Sequence, residues 1–128
     1  MKARVIVLGS GTSHGVPMIG CTCAVCRSHD PRDRRTRPSI FIAVDDGPAI
    51  LVDTSTDLRQ QALTHGVTRV DAILYTHSHA DHIMGLDDVR RFNVMQDGAI
   101  PAYADDTAIA TVERDYGLDP LAARNLVT

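Results

Sequence analysis

A chain of 128 residues, 44% hydrophobic and 23% charged, has the size and balance of one globular domain rather than of a disordered segment. Its net charge of −3 and pI near 6.0 argue against a nucleic-acid surface spread over the whole chain. No apolar run approaches a transmembrane span, so no membrane contact is expected. With 4% aromatics and no Trp, any core must be aliphatic.

The first apolar run, Val5 to Leu8, stops at Gly9, too short for the core of a signal peptide, and a cytoplasmic location is expected. Residues 3–9 have the pattern of a strand, and the small-residue loop Gly9 to Pro17 follows it. That loop has neither GxGxxG nor GxxxxGK[ST] spacing, which ranks an ordinary strand exit above a nucleotide site. His14 within it is a candidate pocket-lining or substrate-contacting residue.

Cys21, Cys23 and Cys26 come next, presented behind Gly20. An odd, clustered set of thiols in a cytosolic chain points to a metal rather than to disulfides, and a structural zinc needs four ligands. His29 is the local candidate for the fourth; a histidine from outside this sequence is the other, and three free thiols are the plain alternative. The stretch Asp30 to Pro38 is turn-rich and basic, and its arginines, among them Arg34, Arg35 and Arg37, suit either a solvated loop or a phosphate contact.

Strand patterns return at 39–44 and 49–52, joined by the turn Asp45-Asp46-Gly47-Pro48. Asp53 ends the second of them, placed to orient a ligand imidazole and fix its tautomer. Residues 57–65 have helical spacing, with Thr56 or Asp57 as N-cap, His65 at the surface and Gly66 as the stop. A buried strand from Val70 runs towards Thr76, and an amphipathic helix continues to about Phe92. A loop over 93–98, a short strand over 100–104, a helix over 105–116 and a second short helix within 118–128 complete the expected elements.

Between the strand and that helix lies Tyr75-Thr76-His77-Ser78-His79-Ala80-Asp81-His82. In extended backbone residues two apart point the same way, so His77 and His79 reach one ion together, while Asp81 and His82 start the helix and are aimed at another. Three imidazoles and a carboxylate would cost desolvation without compensation unless they bind something, and they suit zinc, manganese or iron. A two-metal hydrolytic site is the natural use, because metals about 3.5–4 Å apart acidify a bridging water and stabilise attacking and leaving oxygens. Asp81 is then both a ligand and the candidate catalytic carboxylate.

The HxHxDH run at 77–82, with Leu51-Val52-Asp53 upstream, resembles the signature of the metallo-β-lactamase superfamily. The glycines of the first loop, the CxCxxC knuckle and the arginine run are similar, more specifically, to the branch containing the phosphoribosyl cyclic phosphate phosphodiesterase. The resemblance implies an α/β fold, a four-layer αββα sandwich with two divalent metals at one edge of its sheets, a structural zinc on the cysteines, and a small phosphate ester as substrate. It also implies later histidines and a bridging Asp as ligands, and a domain well beyond this length.

No histidine follows His82. Residues 1–128 are therefore expected to be the N-terminal half of one such domain. By themselves they are expected to turn over little, and to aggregate, turn molten or form a homodimer through an uncovered sheet face carrying Ile40, Ile42, Leu51 and Ile73. The alternatives are an inactive metal-binding fragment, a thioester or lactone hydrolase, or an RNA-processing nuclease.

Overall fold

The structure, a computed structural model, describes residues 1–116; the helix expected within 118–128 lies outside the described residues. Five strands form one mixed sheet in the order β1 (Ala3–Gly9), β2 (Ser39–Val44), β3 (Ala49–Val52), β4 (Ala72–Leu74), β5 (Ala102–Tyr103). β1, β2 and β3 are antiparallel neighbours, whereas β3, β4 and β5 run parallel. It follows that β1, β3, β4 and β5 all end at the same edge of the sheet, where β2 begins. The cysteine knuckle, the arginine run, Asp53 and the histidine segment are all carried on chain leaving or entering that edge.

The strand register fixes which side chains share a face. Ile6, Phe41, Leu51, Ile73 and Ala102 lie in one cross-strand row, and Phe41, Leu51 and Ile73 are buried. The helices α1 (Leu58–His65) and α3 (Arg90–Gln96) pack on this side through Leu58 and Phe92, and Val89 joins the same core. Each such side chain removed from water contributes about 1.5–3 kcal/mol. The neighbouring positions, Val5, Val7, Ile40, Ile42, Ile50, Val52 and Leu74, make up the other face, on which Val5 and Val7 are exposed. Leu51 and Ile73 thus belong to the helix-covered core and not to the uncovered face, which keeps Ile40 and Ile42.

One expected helix breaks for an identifiable reason, and one expected cap keeps its place but not its bond. The helix expected to run unbroken to Phe92 is instead α2 (Ala80–Ile83), a tight 3-10 stretch over Met84–Val89, and then α3, which continues to Gln96 and ends on Asp97 in the left-handed region. Gly85 donates its N–H to Thr54 O at 3.0 Å, and a Cβ there would collide with the Ser55 carbonyl, so the chain is drawn tightly against the exit of β3. Asp57 holds the N-cap position of α1 without capping it. Its carboxylate is taken by Arg37, through the backbone N–H at 2.9 Å and Nη1 at 3.0 Å. Gly66 closes α1 with φ of +64°, as its lack of a Cβ allows. The final helix, α4 (Asp106–Tyr116), follows β5, and Asp105 accepts the Ala108 N–H at 2.8 Å.

Candidate metal centre

Asp53 and the segment 75–82 meet because β3 and β4 are parallel neighbours ending at the same level, Val52 beside Leu74. Asp53 N–H bonds to Leu74 O at 2.8 Å, and beyond it Thr54 N–H reaches His82 O at 2.9 Å. Thr54 Oγ1 donates to the Ile83 carbonyl at 3.1 Å and lies 3.0 Å from the Tyr75 hydroxyl. These bonds tie the start of α2 to the end of β3. Asp53 itself sits at φ of +62°, a left-handed position that Asp tolerates better than most residues.

Its buried carboxylate accepts three hydrogen bonds. Oδ1 takes the Thr76 N–H at 2.8 Å; Oδ2 takes the Thr76 hydroxyl at 2.7 Å and faces His82 Nδ1 at 2.6 Å. An ionised carboxylate only accepts, so His82 presents Nδ1–H to Asp53, and as the neutral ring it has the Nε2 lone pair to offer. The Thr76 hydroxyl proton is already given to Asp53, so Thr76 Oγ1 can only accept from His77 Nδ1, 2.9 Å away. One carboxylate therefore holds Nδ1–H on both rings, directly for His82 and through Thr76 for His77, which makes Nε2 the ligating nitrogen of each neutral imidazole. Asp53 lies against an imidazole of the segment, where the sequence expects it to orient a ligand. Thr76 was not singled out there, since a threonine beside a histidine has no signal of its own until the partner strand is in place.

The rings gather closely. His77 and His79 have centroids 4.6 Å apart in an edge-on arrangement, and His77 and His82 lie 4.0 Å apart. The two expected pairs thus adjoin as one cluster, with His77 in the middle. Asp81 Oδ2 is 3.1 Å from His82 Nε2. That contact closes through a proton when His82 is an imidazolium, and when the ring is neutral its nitrogen and the carboxylate oxygen are two electron-pair donors that a divalent cation can join. The donor set of imidazole and carboxylate fits such an ion.

Replacing Thr76 by Val should leave the fold within about 1–2 kcal/mol of the parent, the scale of a lost hydrogen bond, but release His77 from its Nδ1–H form. Nitrogen-15 NMR of the imidazoles checks this. Thr76→Ser should keep the single tautomer, and a His77 spectrum unchanged in Thr76→Val would overturn the relay.

The other sequence candidates sit apart from this cluster of rings. Cys21, Cys23 and Cys26 place their Sγ atoms within 4.8 Å of one another, the one group of donors that tight among the described residues, and His29 is not part of it. Cys23 Sγ accepts the Cys26 N–H at 3.4 Å, and that bond first, then the Cys21 thiol, lowers the Cys23 thiol to about 7. Cys26 accepts the Met18 N–H, which favours its thiolate, but the Cys21 thiol, burial and the Cys23 thiol together push it up. His14 is exposed on the first loop. Arg35 bonds to Ser10 Oγ at 2.9 Å; Arg37 holds the Ser13 carbonyl at 3.0 Å and pairs with Asp57. Arg35 thereby fastens the first loop, and Arg37 the first loop and the start of α1, to the arginine run. Arg34 is exposed beside a cleft of about 320 Å³ lined also by Ser10 and Thr64.

A mixed sheet covered by helices on one side, with histidines and carboxylates gathered where its parallel strands end, is the arrangement of the metallo-β-lactamase fold. The chain belongs to the β-lactamase superfamily domain family, whose model matches residues 49–126. It is 51% identical to a diphosphatase from the PhnP family of known crystal structure, with a TM-score of 0.85 over 91% of this chain and 47% of that one. Zinc-bound PqqB from Methylobacterium extorquens is 27% identical, with a TM-score of 0.76, covering 98% of this chain and 44% of that one. A protein named octanoyltransferase, from Porphyromonas gingivalis, is 59% identical over 87 residues, 68% of this chain and 18% of that protein. The chain spans less than half the length of each. Among the described residues no helix is long and apolar enough to cross a membrane.

Proposed function

We propose that the whole protein is a metal-dependent hydrolase of small phosphate esters, a phosphodiesterase acting on a cyclic or open phosphodiester. The observation that carries the reading is the common anchoring of His77 and His82 on Asp53, through Thr76 and directly, with His82 Nε2 3.1 Å from Asp81 Oδ2. Likeness to a PhnP-family diphosphatase over 91% of the chain supports phosphorus as the centre attacked. The match to the octanoyltransferase covers too little of that protein to carry acyl transfer over.

Two divalent cations, zinc or manganese, would be held by His77 and His79 on one side and by Asp81 and His82 on the other. When bound they supply an acidified water and charge neutralisation at phosphoryl oxygens. The chain's own part is to orient: Asp53 and Thr76 keep the imidazoles in one tautomer, which leaves Nε2 as the nitrogen that meets the ion. The test is hydrolysis by the whole protein of a cyclic phosphate ester, a thioester and a tRNA precursor with each metal. Turnover of the phosphate ester above the other two is expected, and thioester cleavage alone would overturn the assignment.

Asp81→Asn in the whole protein should strip one metal far more than the other and lower the rate, because the anionic ligand belongs to one pair. Metal analysis after dialysis reads this directly, and full retention of both ions with full activity would refute the pairing. A structural zinc on Cys21, Cys23 and Cys26, its fourth ligand outside that trio, is the second metal proposal. Cys23→Ser should lower Tm while leaving turnover per folded molecule intact. After exhaustive chelation the variant and its parent should melt alike; a Tm difference that survives chelation would rule the zinc out.

A further inference from the structure

The helical layer has an outer surface that the metal centre does not use. Between α1 and α3 runs a groove of about 540 Å³ whose floor is apolar, formed by Leu58 and Phe92 at depth and by Leu63 and Met95 nearer solvent. Leu63 is 62% exposed and Met95 47%, unusual for large aliphatic side chains on helices that already bury another face. The rim is basic. Arg59, Arg90 and Arg91 line it against a single acid, Asp88, although the chain as a whole carries −3.

Those charges are available. Arg59 and Arg91 enter no ion pair among the described residues, and Arg90 meets only Asp87, at 3.3 Å with both groups largely exposed, a contact of little strength. We propose that this groove docks an acidic amphipathic helix of a partner protein, its aliphatic stripe on Leu63, Phe92 and Met95 and its carboxylates on the three arginines. A groove between two helices is the shape that receives a third helix through side chains spaced i, i+3, i+4 and i+7. A second copy of this chain is disfavoured, because two grooves brought together would oppose arginine to arginine. A bilayer is also a poorer match, since the apolar floor is concave.

The probe is a fluorescent synthetic peptide of about 18 residues, roughly five helical turns, with leucines in one stripe flanked by glutamates. Its control is the same peptide with lysines in place of the glutamates. The whole protein should bind the glutamate peptide about tenfold or more tighter than the lysine peptide, and added salt should narrow the gap. Arg59→Glu with Arg91→Glu should reverse the preference, and Leu63→Ser should weaken both peptides about tenfold without lowering Tm. Equal binding of the two peptides, indifference to the charge reversal, or preferential binding to phosphatidylglycerol vesicles would each overturn the proposal. So would loss of peptide binding through dimerisation that the same arginine changes enhance.

Discussion

Asp53→Ala should cost the whole protein about 10–100-fold in affinity for metal at the histidine cluster, the usual scale when the hydrogen-bond partner of a ligand imidazole is removed. The effect is expected to be large because one carboxylate serves three donors, two from Thr76 and one from His82, and all three would be left without it. Both histidines then lose the interaction that selects Nδ1–H, and each must be driven back to that form before Nε2 can bind. Stability should fall as well, since Asp53 is 4% exposed and the abandoned Thr76 N–H and His82 Nδ1 cannot all find water. Asp53→Asn separates the two consequences. Asn tolerates the φ of +62° and can still accept from the Thr76 N–H, so folding is largely retained. Its amide nitrogen cannot accept from the other two donors, so metal affinity should drop almost as far as in Asp53→Ala. Zinc titration calorimetry and thermal melts on both variants check this pair of outcomes, and an Asp53→Ala protein with undiminished metal affinity would sink the orienting role.

The contrast between Asp53 and Thr76 shows how far the sequence could be followed. HxHxDH is a local pattern, its donors packed into six residues, and Asp53 at the end of an aliphatic run is legible as its neighbour. The link through Thr76 depends on a hydrogen bond across 23 residues of sequence and on β3 lying parallel to β4, which no spacing announces. The faces of the sheet were opaque for a different reason. β2 reads Ser-Ile-Phe-Ile-Ala-Val and β3 Ala-Ile-Leu-Val, apolar at nearly every position, so there is no alternation to say which parity faces the helices. Register settles it: Phe41 stands beside Leu51 and Leu51 beside Ile73, which puts Leu51 in the core and Ile40 and Ile42 on the opposite face. The broken helix after His82 was hidden similarly. Gly85 is unremarkable in a helical pattern until the Ser55 carbonyl is found where its Cβ would be.

That doubly apolar sheet leads to the second large effect. A polypeptide of residues 1–128 should self-associate or populate a molten state. The helices cover only the row of Ile6, Phe41, Leu51 and Ile73, and the adjoining rows are aliphatic on three consecutive strands. Val5 at 63% and Val7 at 55% exposure stand at the edge of that face, with Ile42 and Ile50 in register with Val5, and Ile40 and Val52 with Val7. Contiguous apolar patches above about 400 Å² drive association, and a sheet with one solvated face normally alternates polar residues on that side. Here it does not, so this face is built for an apolar layer against it, as in a sandwich whose inner faces interdigitate. Light scattering on residues 1–128 should therefore report a dimer or larger species that binds a hydrophobic dye. Val5→Lys combined with Val7→Glu should shift it towards monomer, because both positions lie on the edge strand and lose little burial. A monodisperse monomer that melts cooperatively and excludes the dye would mean that the face is covered by residues 117–128 or is stable in water as it stands, and the expectation of a facing layer would be wrong.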